Sequence, residues 1–392
     1  MPRRPAGLTR RGLLTSASAA LALTALGPPA RAQATPGWSW QFFTYGNDIW
    51  QRACWNDTEQ FDYRLGGGGC VREMRYCPET YRPLLSPTFQ GEETDRVVQA
   101  VLWALNVEGT SSAPDRRWNV NQAGTGAGVF SRTVAVERLS DTTTDVWTIA
   151  DRQWQPQLDT DFAGSDPVPQ LTRYTRLAGG GGGLQIRRVL RLPRIVRWGS
   201  AVPGVEFYLE NWLPFLRSSD AFDAVAFSLN ADGSPAEWYR AGYNIPVYPW
   251  TPATDTSGYA VVFRENATAT RPDVAVVHSA KAGVTSSTTA RMVSVRNSMD
   301  WDTGIGVLPG VRVFGGEAGS ILDYTLRIVP NGGTSAGLVS NLTAQSAAVP
   351  APVLYGPGHT FGGELSTVVD RLRFCVTSPA GTRTGNLAPL LR

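Results

Sequence analysis

Histidine is scarce in this chain of 392 residues, and one of its two histidines lies in a setting suited to proton transfer. His359 belongs to the segment YGPGHTFGGE, which runs from Tyr355 to Glu364. Its glycines let a ligand approach the backbone, and aromatic residues flank the histidine. Histidine is the side chain that changes charge near neutral pH, so His359 is a candidate general acid or base. Glu364 is a second candidate, which either orients the imidazole or acts itself. An exposed histidine in a structural turn is the alternative.

A pair of carboxylates two residues apart is the next candidate for catalysis. Asp300 and Asp302 flank Trp301, and in a strand both acids would lie on one face because side chains alternate. Hydrolysis of a glycosidic bond uses two carboxyl groups about 5 to 9.5 Å apart. Acids near turns usually cap the turn, which is the alternative for this pair.

Tryptophan is the compositional outlier, with 13 residues. Aromatic faces stack on the apolar C–H faces of sugars, and tryptophan also donates a hydrogen bond. One cluster holds Trp38, Trp40, Trp50 and Trp55, and a second holds Trp238, Tyr239, Arg240, Tyr243 and Trp250. In the second cluster we predict Tyr239 as a catalytic base and the other four, together with Tyr355, as substrate-binding residues. Aromatic residues that fill a large β core are the alternative.

Several glycine-rich motifs lack the surroundings that their chemistry needs. Gly333 to Gly337 matches G-x-S-x-G, but no Asp or Glu lies between it and His359, so we interpret it as a glycine-rich loop. Gly124 to Gly128 is too short for a dinucleotide fingerprint, and no glycine run is followed by the Lys-Ser/Thr of a phosphate loop. No cysteine pair has the C-x2-C spacing of a metal site. The sequence therefore predicts no cofactor and no metal.

The first 34 residues have the order of an export signal. Arg10 and Arg11 precede an apolar run from Leu13 to Leu26, and small residues follow around Ala32. The hexapeptide TRRGLL, which begins at Thr9, is similar to a twin-arginine signature. We therefore predict export to the periplasm or beyond, with a disordered or membrane-anchoring N-terminus as the alternative. Beyond this segment no stretch has the ~18 apolar residues that cross a bilayer.

Removal of the signal changes the charge of the chain. The segment carries five arginines and no acid, so the formal net charge falls from +3 to −2. A nearly neutral protein lacks the basic surface that nucleic acids bind, and no nucleic-acid partner is predicted.

Four cysteines, Cys54, Cys70, Cys77 and Cys375, fit the oxidising compartment that export implies. We predict disulfides, for which three connectivities are possible. If residues 70–77 form one extended strand, Cys70 and Cys77 are too far apart to bond each other.

Strand patterns dominate the chain after residue 95. Runs of Val, Ile, Thr, Phe and Tyr, such as Leu184 to Leu192 and Ile321 to Val329, are separated by Gly, Pro, Asn or Asp. The arginines around Arg187 and Arg188 suit a strand with one solvent-facing side. Residues 94–105 fit either a helix or a strand. We predict an all-β fold, a large antiparallel β-sandwich with few short helices, as a single domain over residues 35–392; a boundary near residue 200 is the alternative.

Two regions of the sequence carry a family pattern. RLGGGGCVREM from Arg64 and LLSP from Leu84 lie near the start, and LPG from Leu308 and GSILDYTL from Gly319 lie near the end. In these segments the chain resembles galactose-mutarotase-like proteins. The resemblance implies the supersandwich fold and a carbohydrate substrate. Family catalysts use paired histidines and a late glutamate. Epimerase chemistry is not carried over, because His278 and His359, the two histidines of this chain, are not matched to those positions.

Together these features predict a secreted carbohydrate-active enzyme that cleaves a glycosidic bond by hydrolysis or elimination. A non-catalytic glycan-binding or cell-envelope structural protein is the alternative. We predict that the Tyr355–Glu364 segment and residues 237–250 border one cleft. If they do not, the first aromatic cluster, with Asp48 and Glu73, is the next candidate.

Overall fold

Strands make up most of the residues that the computed structural model describes, as the sequence predicts. The structure describes residues 39–45, 48–54, 60–65, 69–77, 82–85, 88–89, 92–93, 99–105, 117–122, 131–151, 166–177, 183–194, 206–215, 224–240, 258–263, 274–279, 284–285, 293–300, 305–313, 317–330 and 335–375. The predicted signal segment lies outside these ranges. No helix within them is long and apolar enough to cross a bilayer.

The described part contains twenty-three strands and two α-helices. In chain order the strands are β1 (Ser39–Tyr45), β2 (Asp48–Cys54), β3 (Gln60–Leu65), β4 (Val71–Cys77), β5 (Arg82–Leu85), β6 (Thr88–Phe89), β7 (Glu92–Glu93), β8 (Gln99–Leu105), β9 (Arg117–Asn121), β10 (Arg132–Arg138), β11 (Thr143–Ala150), β12 (Val168–Arg176), β13 (Leu184–Arg191), β14 (Glu206–Phe215), β15 (Ala224–Leu229), β16 (Pro235–Arg240), β17 (Tyr259–Phe263), β18 (Val274–His278), β19 (Val284–Thr285), β20 (Val293–Asp300), β21 (Ile305–Val313), β22 (Ile321–Pro330) and β23 (Val353–Tyr355). The helices are α1 (Ser335–Ala348) and α2 (Gly363–Cys375).

The largest sheet contains eleven of these strands. Nine follow the order β10-β11-β12-β13-β22-β18-β17-β15-β16, and β23 pairs with both β22 and β19. Two five-stranded sheets, β1 to β5 in chain order and β20-β21-β14-β8-β9, and the hairpin β6-β7 complete the described strands. Within the described ranges every pairing is antiparallel except β19 with β23. The predicted antiparallel β architecture is confirmed.

Both helices pack on the same face of the large sheet, which we call the helix face. Leu338 and Leu342 of α1 lie in one apolar cluster with Val329 of β22. A second cluster joins α2 to five neighbouring strands through Ala135, Trp147, Leu171, Val189, Ile321, Val368, Val369 and Leu372. Because side chains alternate along a strand, Ile321 and Val329 of β22 lie on one side. The helices therefore bury this side of the sheet.

The opposite side, which we call the inner face, is buried as well. Gly69, just before β4, lies so close to it that a Cβ atom there would stand 2.2 Å from Val146 Cγ1. Gly69 also has φ of +73°, a conformation that favours glycine. The Gly69 carbonyl accepts hydrogen bonds from the Tyr174 hydroxyl at 2.8 Å and from the Gln122 amide at 3.4 Å. These contacts fix the segment before β4 against the large sheet.

Arg188 on the inner face corrects one sequence-based expectation. Its side chain is fully buried, and it donates to Gln122 Oε1 at 2.7 Å and to Thr172 Oγ1 at 2.9 Å. Burial lowers the pKa of Arg188 from its ordinary value. The predicted solvent-facing side of this strand does not include Arg188, which lies on the buried inner face; Gln185, Arg187 and Arg191 on the other side are partly exposed.

Two further expectations about local structure are settled by the strands and helices. The open choice for residues 94–105 resolves in part to a strand, β8, which pairs with β14 and β9. The G-x-S-x-G motif was predicted to be a loop, but Ser335 begins α1.

Cys70 lies before β4 and Cys77 ends it, so about seven extended residues separate them by roughly 23 Å and exclude a bond between them. The disulfides of the chain stay a prediction.

Two buried tyrosines on the inner face give opposite expectations for stability. The Tyr324 hydroxyl has no protein hydrogen-bond partner among the described residues, whereas Tyr174 bonds to Gly69. A buried unpaired hydroxyl costs about 1–3 kcal/mol, and a typical hydrogen bond contributes about 1 kcal/mol. We expect Tyr324→Phe to raise the free energy of unfolding by about 1 kcal/mol and Tyr174→Phe to lower it by about 1 kcal/mol, measured by urea denaturation.

Alkaline pH provides a control for the same pair of variants. Burial raises the pKa of both phenols, so each is neutral in the folded chain at pH values where the unfolded chain ionises. Stability that is present below pH ~10 is therefore lost above it, by about 1.4 kcal/mol per pH unit for each tyrosine. Each Phe variant should lose less stability per pH unit than the native chain. Shifts in the same direction for both variants at pH 7 would contradict this assignment.

Candidate functional site

Three aromatic side chains meet between β23 and α2. Tyr355 ends β23, and the backbone N–H of His359 donates to the Gly356 carbonyl at 3.0 Å to close a turn. The ring centroids of Tyr355 and His359 lie 4.8 Å apart, those of His359 and Phe361 4.8 Å, and those of Tyr355 and Phe361 5.2 Å. We call these three residues the ring cluster. The turn thus places an imidazole against two aromatic rings.

The ring cluster packs on the protein core on one side and is partly exposed to solvent on the other. Tyr355 pairs with Ile321 of β22, and both Tyr355 and Phe361 pack on the apolar cluster under α2. His359 itself is only partly buried. Side chains held by packing keep a fixed geometry, which a binding or catalytic site requires. The imidazole is therefore both positioned and accessible.

Beside the ring cluster, four charged side chains lie on the helix face of adjacent strands. Asp145, Arg173, Arg187 and Asp323 come from β11, β12, β13 and β22, and we call them the charged row. Arg173 donates from Nε to Asp145 Oδ1 at 2.6 Å and from Nη2 to Oδ2 at 2.8 Å. Arg187 donates in the same way to Asp323, at 3.0 and 2.7 Å. Both pairs are bidentate, which is the strongest geometry for this interaction.

Glu364 in the first turn of α2 connects the two arginines. Its carboxylate accepts a hydrogen bond from Arg173 Nη1 and lies 3.9 Å from Arg187 Nη1. The hydrogen bonds to Asp145 raise the pKa of Arg173, and Glu364 adds to this effect. The hydrogen bonds to Asp323 raise the pKa of Arg187 likewise. Both guanidiniums are therefore fixed as cations.

Tyr355 connects the ring cluster to the charged row. Partial burial raises the pKa of its phenol, the charge of Asp323 raises it further, and the charge of Arg187 lowers it. A phenol with a raised pKa is neutral near pH 7 and donates a hydrogen bond. Tyr355 is therefore a hydrogen-bond donor in this cluster.

A separate set of contacts holds α2 on the sheet. Arg371 lies over the Trp147 ring, with its Cζ 4.0 Å from the centroid, and donates to Glu137 at 2.8 Å. Trp147 Nε1 donates to the same Glu137 carboxylate at 3.0 Å. With the apolar contacts of Val368, Val369 and Leu372, these interactions anchor the helix independently of Glu364.

The structure brings together three of the predicted site residues: His359, Glu364 and Tyr355. Glu364 bonds to Arg173, and no hydrogen bond joins it to His359 among the described residues. Trp238, Tyr239 and Arg240 belong to β16, the edge strand that lies four strand steps from β22, or about 19 Å along the sheet. Asp300 ends β20 in another sheet.

The remaining predictions rest on residues that the structure does not describe. Asp302, Tyr243 and Trp250 lie outside the described ranges, as do the side chains of Trp238, Tyr239, Arg240 and Asp300. The shared cleft between the ring cluster and residues 237–250 therefore stays a prediction. In the part of the chain that is described, no group of three or more His, Cys, Asp and Glu side chains is arranged to hold a metal ion.

The charged row was missed by sequence reasoning. Arg173 and Asp145 are separated by 28 residues, and Arg187 and Asp323 by 136. The available signal was that Arg187 and Asp323 are charged residues inside predicted strands. Only the strand pairing shows that these positions lie near one another.

Comparison with known proteins gives a distant structural likeness. No protein-family model and no curated protein matches this sequence. A heparan sulfate lyase HepC mutant from Pedobacter heparinus matches 83% of this chain with 8% identity and a TM-score of 0.29, over 43% of its own length. A putative aldose 1-epimerase from Klebsiella pneumoniae matches 83% of this chain with 8% identity and a TM-score of 0.28, over 91% of its own length. This chain thus spans less than half of the lyase. Because both TM-scores lie below 0.5, the function proposed below rests on the residues of this chain.

The charged row predicts a large difference between two acidic residues. Asp145 is nearly buried, with 4% of its side chain exposed, and its removal leaves Arg173 without its bidentate partner. Asp370 lies exposed on α2 and pairs with Arg373 one turn along. We expect Asp145→Asn to lower the free energy of unfolding by about 2–4 kcal/mol and Asp370→Asn by less than about 0.5 kcal/mol. If urea denaturation gave equal losses of stability for the two variants, the charged row would not be what stabilises this site.

Proposed function

We propose that this chain acts on a carbohydrate at the ring cluster, and that it cleaves a glycosidic bond there. The observation that supports this proposal is the accessible imidazole of His359, which lies within 4.8 Å of two ring centroids. Aromatic rings stack on the apolar faces of sugars, and an imidazole among them can transfer a proton to or from the bound sugar.

Among cleavage reactions, the geometry favours elimination over hydrolysis. Hydrolysis needs two carboxyl groups, one of which donates a proton. Among the described acids of this site, Asp145 and Asp323 each use both oxygens to accept hydrogen bonds from an arginine, and Glu364 accepts one from Arg173. None of the three is placed to donate a proton. Elimination next to a sugar carboxylate needs a base and a cation that neutralises the carboxylate. His359 would supply the base. Arg187 would supply the cation, since His359 and Arg187 both lie near Tyr355.

Glycan binding without cleavage is the second candidate. One observation favours it: His359 has ring contacts but no side-chain hydrogen bond among the described residues. A catalytic histidine is commonly oriented by a hydrogen bond to its second ring nitrogen. In this case the same rings would bind the sugar and release it unchanged.

A glycan array followed by mass spectrometry of the bound glycans tests the proposal. We expect the native chain to bind glycans and to release products of changed mass. His359→Ala should lower the cleavage rate by about 10²–10⁴-fold, the usual contribution of one acid–base group, and should weaken binding much less. Phe374→Ala is the matched control, because this ring is 73% exposed and lies outside the ring cluster.

Each outcome selects one interpretation. Binding with no mass change over the whole array would leave the non-catalytic candidate. Cleavage that His359→Ala leaves unchanged would place the catalytic group elsewhere. An array with no bound glycan would contradict a carbohydrate function altogether.

A further inference from the structure

The charged row brings two like charges next to each other. Arg173 and Arg187 lie directly opposite each other on neighbouring strands. Like charges in this position destabilise a sheet. Each arginine is compensated on its outer side by one aspartate, so the arrangement Asp–Arg–Arg–Asp brings two cations together in the middle. A third anion between them removes the repulsion.

The two arginines direct the same nitrogen, Nη1, toward one location, which the Glu364 carboxylate occupies. In each of them Nε and Nη2 are used by the aspartate, which leaves Nη1 for another acceptor. Both Nη1 atoms face the carboxylate of Glu364. Since bidentate pairing fixes both guanidiniums, the two donors are already arranged for one anionic group.

Glu364, which accepts a hydrogen bond from Arg173 there, is the most exposed of these charged side chains. Its side chain is 58% exposed, against 17% for Arg173 and 26% for Arg187. Gly362 and Gly363 precede it, and a Cβ atom at either position would meet no other atom within 4 Å. The helix is anchored by Arg371 and its apolar residues, so the Glu364 carboxylate can turn away without loss of that packing.

We propose that Arg173 and Arg187 form a binding site for the anionic group of an acidic sugar, a carboxylate or a sulfate ester, and that Glu364 occupies this site when no ligand is bound. The sugar identity rests on the proposed function, whereas binding of an anion does not. The site lies next to Tyr355, which pairs with Ile321, two residues before Asp323 on the same face of β22. A sugar on the ring cluster would thus direct its acidic group toward the arginines, and Glu364 would compete with it.

Removal of this competitor is the test. Binding of glucuronate, glucose 6-sulfate, inorganic sulfate and glucose is measured by calorimetry on the mature chain at low salt. An internal competitor acts at an effective concentration of about millimolar, so Glu364→Gln should bind at least one anion about tenfold more tightly than the native chain. Glucose binding should not change. The acid that gains affinity shows whether the site takes a carboxylate or a sulfate.

Two further variants separate the site from a general charge effect. Asp370→Asn removes one exposed negative charge from the same helix and should bind like the native chain. Arg187→Lys, added to Glu364→Gln, should abolish the gain because lysine lacks the planar fork. Glu364→Ala serves in place of Glu364→Gln if melting shows that the Gln variant is unfolded.

The results can overturn either proposal separately. No gain for any anion in the Glu364 variants, or a gain that Arg187→Lys leaves intact, would overturn the anion site. A gain for inorganic sulfate in a chain that binds no glycan would keep the anion site and refute the carbohydrate function.

Discussion

Strands β11, β12, β13 and β22 are buried completely on the inner face and in large part on the helix face, and this burial constrains the polar side chains that they carry. A buried polar group needs a partner, and a buried charge needs a strong one. On the inner face Arg188 meets this need through Gln122 and Thr172. On the helix face the charged row meets it through two bidentate pairs. On these four strands a ligand can therefore reach polar groups only where a polar cluster also contacts solvent.

The two faces of the large sheet differ in how far their polar groups are exposed to solvent. The inner-face residues Arg188, Tyr174 and Tyr324 are almost completely buried, and the polar groups of Arg188 and Tyr174 hydrogen-bond to other buried residues there. On the helix face, α2 begins beside the charged row and leaves Glu364 exposed. The turn that precedes this helix carries the ring cluster. The start of α2 is thus where packed, positioned side chains and solvent meet.

Local pattern predicted the strands well and the helices poorly. β13 and β22 match the predicted runs within one residue, because alternation and flanking turn residues are local signals. In α1, serine and glycine in SAGLVSNLTAQSAA are typical of loops, and packing on the sheet overrides them. In α2, Leu365, Val368, Val369 and Leu372 have helical spacing, a signal that was present but not used.

The residues of the candidate site likewise divide into those that the sequence indicated and those that it did not. His359, Glu364 and Tyr355 were found because their residue types and their shared segment are visible in the sequence. Arg173 and Arg187 were not, because their proximity depends on which strands pair and which face a helix covers. The role expected for Glu364 also differs, since the arginines of the sheet, and not His359, hold its carboxylate.

The central claim is that the ring cluster is the surface that contacts a glycan. Hydroxyl-radical footprinting with mass spectrometry, on the native chain with and without a bound oligosaccharide, tests it most directly because aromatic rings and imidazoles are readily oxidised. The account predicts that ligand lowers oxidation of Tyr355, His359 and Phe361 several-fold, while oxidation of the exposed Phe374 is unchanged. Protection at residues 237–250 with the ring cluster unaffected would contradict the account.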